Sequence, residues 1–200
     1  MNSNARQKKK GHQRAYHKVY LERTKEKGYA ELSQRELAKG FGISAAAFYN
    51  HFKSKDALLN EVLKLVSKTI YDGYHRDDRN EIDSTERLIL FGEYLINMFQ
   101  RQPHLMEFLL FSPNALKVYS QRNKFGNFSL FLLSEACTLI EAVKNDHDLK
   151  QDIYVLLTKW WAFLQGYTML VSKGIAEYPE ELVREAVSDV IAGEQRRNES

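Results

Sequence analysis

Apolar residues in this chain recur at three- and four-residue spacing through long segments, divided by short polar breaks, which is the pattern of amphipathic helices. Over about residues 13–27 the stripe is thin, with Tyr16, Val19 and Tyr20 facing inward and Gly28 placed to stop the helix. Residues 55–71 carry a broader stripe of Leu58, Leu59, Val62, Leu63, Val66 and Ile70, wide enough to touch both a small N-terminal head and a larger body. The polar stretch 72–83 reads as a loop, and Asp83 with Glu86 three positions on reads as a capping box opening a helix that ends before Pro103. Short helices are expected over 104–110 and 113–121, and longer ones over 124–144, 147–173 and 179–192. The only prolines, Pro103, Pro113 and Pro179, fall between these segments, so the pattern predicts an all-α fold.

Composition narrows the class. A hydrophobic fraction of 44% over 200 residues supports a real core. No apolar run approaches the roughly 18 residues of a spanning helix. The N-terminus is polar and basic with no apolar stretch behind it, so a cytoplasmic chain with no membrane partner is expected. Cys137 is the only cysteine, which excludes an intramolecular disulfide and a thiolate zinc site. Charge is distributed unevenly. Residues 1–60 carry 13 Lys and Arg against 5 Asp and Glu, a net of +8, whereas the remainder carries 16 against 21, a net of −5. A basic head on an acidic body fits a polyanion at one end, or simply a solvated basic face.

The segment from Ser33 to Phe52, SQRELAKGFGISAAAFYNHF, describes two short helices around a tight turn. Ser33 and Glu36 form a capping box, Leu37 and Ala38 face inward, and Gly40 and Gly42 bracket Phe41 with permissive backbone. Ser44 caps the second helix, whose start is Ala45, Ala46 and Ala47, while Phe48 and Phe52 pack back on the first. Such a helix presents its N-terminal residues to the major groove.

Gly28-Tyr29, Leu37-Ala38, Gly42-Ile43-Ser44, the run Phe48 to Phe52 and the run Lys53 to Leu59 together resemble the tetracycline-repressor (TetR) family over about residues 10–63. The resemblance implies that Tyr49 and His51 touch phosphates, that Lys55 binds backbone at the start of its helix, and that Arg35 lies beside the groove. The residue types agree, since Tyr49 offers a hydroxyl donor and Lys55 a point charge. Plainer readings stand beside these: Tyr49 as packing, Lys55 as solvated, His51 as a helix cap. Where relatives often carry polar residues, Ala45, Ala46 and Ala47 offer only methyl groups. Base preference then falls to thymine methyl contacts, to Gln34, Arg35 and Asn50, and to a basic arm at Lys8 to Lys10 that reads DNA shape. Arg23 and Thr24 replace a usual apolar pair, so looser packing of the first helix on the turn is expected.

The resemblance also implies a body that dimerises through its last two long helices and encloses a ligand. Trp160 to Gly174 is similar to a WHG-type body, with Gln165 where a histidine usually stands. Trp161, Thr168 and Met169, with Leu182, Val183, Ala186, Val187 and Val190, are the expected two-fold interface, and an ordinary intramolecular core is the alternative. Tyr94, Met98, Phe108, Phe111, Phe128, Phe131 and Trp160, with Gln165, are the ligand-site candidates, for which plain core is again the alternative. His75 with Asp77 and Asp78 fits a polar loop better than a metal site, and no acid, base and nucleophile set converges. The expectation is therefore a three-helix helix-turn-helix head over residues 1–55 and a dimerising, ligand-binding helical body over 56–200. It would be a homodimeric repressor of a pseudo-palindromic operator on double-stranded DNA, released by a small-molecule effector, with no cofactor and no enzymatic activity. The alternative is a relative whose body binds a protein partner.

Overall fold

The computed structural model of the chain describes residues 18–29, 34–44, 52, 54–76, 82–120, 130–179 and 181–198, and every regular element among them is helical. Residues 18–27 form α1, followed by α2 (Gln34–Gly40), α3 (Lys55–Tyr74), α4 (Ser84–Arg101), α5 (Pro103–Phe111), α6 (Pro113–Ser120), α7 (Phe131–Asp146), α8 (Ile153–Ser172) and α9 (Glu181–Asn198). No described helix is long and apolar enough to cross a membrane.

Local chemistry fixes most of the boundaries. Ser54 Oγ accepts from the Ala57 backbone N–H at 3.1 Å and opens α3, which runs three residues further than the apolar stripe alone predicts. Asp83 Oδ1 accepts from the Glu86 N–H at 2.9 Å and opens α4. The reciprocal half of the expected capping box is not made, because the Glu86 carboxylate instead grips Arg184 at 2.5 and 2.7 Å. Pro103 and Pro113 sit at the first positions of α5 and α6, where a missing N–H costs nothing. The start of the helix expected over 147–173 needs correcting. α7 reaches Asp146, Asp148 takes a left-handed φ of 48°, and Asp152 caps a new helix by accepting from the Tyr154 N–H at 2.8 Å.

The described residues fall into two compact units, one of residues up to Thr69 with those between Gln102 and Gln121, the other of Ile70–Arg101 with the residues from Arg122 onward. In the first, Tyr20, Ala38, Phe52, Leu58, Val62 and Val66 are buried with Leu105, Met106, Phe108, Leu109 and Ala115. Asn114, also buried, donates to Asn60 Oδ1 at 3.0 Å. In the second, α4 is central and packs on α7, α8 and α9. Gly92 allows its approach to α9, since a Cβ there would stand 2.9 Å from Val183 Cγ1.

Candidate nucleic-acid interface

The turn after α2 is built by backbone hydrogen bonding. The Ile43 N–H donates to the Ala38 carbonyl at 3.0 Å and the Gly42 N–H to the Lys39 carbonyl at 3.1 Å, with Gly42 at φ +67°. This is a Schellman motif, and only a residue without Cβ adopts its left-handed position cheaply. Gly40 serves a different purpose from the one its sequence position suggests. It is helical, and its bare face receives the Arg23 guanidinium, whose Nε would lie 2.6 Å from a Cβ. The expected loosening of α1 is therefore not found. Arg23 lies along the turn, and Thr24 is fully buried beside Tyr20.

Two aromatic rings of the first unit meet one ring of α5: Tyr20 lies 5.9 Å and Tyr29 5.6 Å from Phe108 between centroids. Gly28, at φ +78°, closes α1 by donating to the Thr24 carbonyl at 3.0 Å, and His104 stands 3.4 Å from where its Cβ would be. Burial pushes the Tyr20 phenol well above its ordinary value, a shift tempered by Thr24, so it stays neutral at physiological pH. Neither hydroxyl completes a hydrogen bond of normal geometry.

Of the expected DNA contacts, Arg35 is exposed on α2, Ser44 is exposed just beyond the turn, and Lys55 is the half-buried first residue of α3. Gln34 begins α2. Lys10, Ala45, Ala47, Tyr49, Asn50 and His51 lie outside the described residues, as does Phe48. Lys39 was not among the expected contacts. It is exposed four positions after Arg35, so α2 carries two cations on one helical face away from buried Ala38. The i, i+4 spacing was the available signal.

The body candidates separate between the units. Phe108, buried, and Phe111, half-buried, belong to the first, whereas Tyr94, Met98, Phe131, Trp160 and Gln165 belong to the second. Phe128 lies outside the described residues. The Tyr94 hydroxyl donates to the Ile70 carbonyl at 3.0 Å and fills the notch at Gly73. Trp160, 4% exposed, stacks on Phe91 at 5.9 Å and 9°, and its Nε1 has no hydrogen-bond partner among the described residues. It lines a crevice of about 20 Å³ with Leu88, Ile140, Leu156, Val187 and Ile191. Among the expected interface residues, Thr168, Val183 and Val187 are buried within the chain itself. Trp161, Leu182, Ala186 and Val190 are half-buried and Met169 is 47% exposed. Gly166 on α8 and Gly193 on α9 face open space. No cluster of three or more metal-ligating side chains occurs among the described residues, and Asp77 and Asp78 lie outside them.

Residues 22–62 match the family of bacterial regulatory proteins called the tetR family. Over 78 residues the chain is 31% identical to the nucleoid occlusion factor SlmA of Aliivibrio fischeri, a match covering 39% of this chain and 40% of that protein. The chain thus spans less than half the length of that curated relative. The fold is similar to a TetR family transcription regulator from Marinobacter aquaeolei VT8, with a TM-score of 0.61 and 18% identity over 94% of this chain and 97% of that one. It is also similar to a TetR-family transcriptional regulator from Haemophilus influenzae, with a TM-score of 0.60 and 15% identity over 93% and 97%. The family is one of regulators, not of enzymes. The helix-turn geometry after α2 thus lies within the segment, residues 22–62, that matches the tetR-family regulatory domain, and the all-helical fold is similar to that of TetR-family regulators over nearly the whole chain.

Proposed function

We propose that the protein is a homodimeric repressor that binds a pseudo-palindromic operator through residues 1–55 and is released when a small apolar ligand enters residues 56–200. The observation that carries this reading is the tetR-family domain at residues 22–62 with Arg35 and Lys39 exposed together on α2. In it, Lys10, Arg35, Lys39, Tyr49, His51 and Lys55 neutralise or bond phosphates. Gln34, Ser44 and Asn50 approach base edges, and Ala45 and Ala47 meet thymine methyl groups. The open Cβ positions of Gly166 and Gly193, with Ala186, Leu182 and exposed Met169, support a two-fold contact of α8 and α9 with a second copy. The apolar crevice beside Trp160 is the place where a small ligand would have to open the packing of the second unit to enter. The likeness to a nucleoid occlusion factor favours a second reading, in which a protein partner takes the place of the small ligand.

Binding to a promoter fragment at two salt concentrations tests the DNA half. Affinity is expected to fall steeply with salt, and Arg35→Ala and Lys39→Ala are each expected to reduce the log–log salt slope by about 1. Binding indifferent to salt overturns the reading. A thermal-shift hit that also releases DNA supports the ligand half, whereas a partner that co-purifies and binds the isolated chain favours the second reading.

A further inference from the structure

Glu135 on α7 is 7% exposed, and its Oε1 accepts no hydrogen bond among the described residues. Its one ion-pair partner among the described residues is His75, whose Nε2 lies 3.2 Å from that oxygen, near enough for charge pairing but misaligned for a hydrogen bond. His75 follows the last turn of α3 and keeps 37% of its side chain exposed. Its ring lies 4.3 Å from the Tyr71 ring and 5.1 Å from that of Tyr74, which it meets edge-on. The Tyr71 ring in turn meets Phe131 at 5.7 Å, and Phe131 is 40% exposed. The imidazole therefore stands as a stopper between solvent and a buried carboxylate, with the Tyr71 and Tyr74 rings beside the imidazole and Phe131 one helical turn before Glu135 on α7, all within the second unit.

A buried carboxylate oxygen without a donor is costly, and aromatic faces within about 6 Å favour a cation. Two ligating side chains do not make a metal site, and no third stands with them among the described residues. A quaternary ammonium brings charge but no N–H to satisfy Oε1. An amidinium or protonated amine brings both, and a flat one matches the carboxylate in two-point fashion. We propose that Glu135, Tyr71 and Phe131 form a binding site for an organic cation bearing N–H donors, with the His75 side chain as its displaceable occupant. That occupancy alters DNA binding rests on the ligand-sensing reading above; occupancy itself does not.

The test is calorimetric titration of the full chain with benzamidine and, in parallel, with neutral benzamide. Benzamidine is expected to bind and benzamide not. Glu135→Gln, which keeps shape and loses charge, is expected to weaken benzamidine at least about tenfold. His75→Ala is expected to tighten it severalfold, because the stopper is gone. Exposed Phe131→Leu, which leaves the core intact, is expected to weaken it about threefold. Equal affinity for the two probes, unchanged binding by Glu135→Gln, or weaker binding by His75→Ala overturns the proposal. If Glu135→Gln does not fold, unchanged binding by Phe131→Leu overturns it. Operator release is scored separately: benzamidine that binds at Glu135 without releasing DNA counts against the ligand-sensing reading and leaves the site standing.

Discussion

The two units build their cores by different means. In the first, beside most of α3, short helices of seven, nine and eight residues, α2, α5 and α6, are held by caps and turns. In the second, helices of 16 to 20 residues surround α4, and their order comes from long interdigitated faces. Short helices are marginal on their own and depend on tertiary contacts. The first unit therefore concentrates its stability in a few side chains, whereas the second spreads it. Phe108→Ala removes the ring that both Tyr20 and Tyr29 meet. It is expected to cost about 3–5 kcal/mol, read as a lowered denaturation midpoint by circular dichroism, and to weaken operator binding with it.

The second unit is most sensitive where its helices come closest. Gly92→Ala gains helix propensity of up to about 1 kcal/mol, but the new methyl meets fully buried, β-branched Val183 at 2.9 Å. Overpacking a stiff neighbour costs about 1–3 kcal/mol, so net destabilisation is expected. Both tryptophans, Trp160 and Trp161, lie on α8 and Trp160 is 3.6 Å from the new atom, so tryptophan emission reports the change directly. An unchanged midpoint would mean that α4 and α9 yield more easily than a close-packed interior should.

A matched pair sharpens the contrast. α2 and α8 end in the same motif: Gly42 at φ +67° and Gly174 at φ +66°, each with the same two backbone hydrogen bonds and with nothing within 4 Å of a Cβ. Alanine at either position therefore carries only the conformational penalty, about 1–2 kcal/mol. Gly42→Ala is expected to weaken operator binding as well, whereas Gly174→Ala is expected to leave the intrinsic affinity for DNA unchanged. Equal loss of DNA binding by both would remove the distinction between the two turns.

The parts legible in the sequence are those that local chemistry dictates. Gly28 and Gly42 announce left-handed positions, Asp83 announces a cap, and Pro103 and Pro113 announce helix starts, each within four residues of the atoms it serves. The break between α7 and α8 was expected at 145–146 but is longer and lies later, because an aspartate, Asp148, takes the left-handed position where glycine is the usual marker. Buried Leu149 also keeps the apolar spacing going across the break. Long-range partners were hidden for a different reason. Nothing in a helical stripe says that Phe108 belongs with Tyr20 and Tyr29 while Trp160 belongs with Phe91, since both readings bury the same ring. The same ambiguity assigned Val183 and Val187 to a two-fold interface, although the chain buries them itself. Of the two exposed cations on α2, Arg35 was singled out from the motif, whereas Lys39 required recognising that α2 keeps its exposed face through to Gly40.

Glu86 and Arg184 give the smallest effect and the cleanest sign. They are 98 residues apart in sequence and bind one another in two-point fashion. The Arg184 hydrogen bond, outweighing the opposing effect of burial, holds the Glu86 carboxyl below its ordinary value of 4.5. A carboxyl whose folded pKa is depressed contributes stability above its unfolded pKa and loses it as pH falls through the folded value. Glu86→Gln is therefore expected to lower the urea midpoint slightly at neutral pH and to match the unsubstituted chain once both are well below the ordinary carboxyl range. The side chains are 29% and 50% exposed, so moderate salt should shrink even the neutral-pH difference. Convergence of the two chains in acid identifies the Glu86 charge as the source. A constant gap at every pH would instead trace the loss to the shape and packing of the substituted side chain, since both the Arg184 pair and the attraction of a carboxylate to the helix N-terminus vanish on protonation.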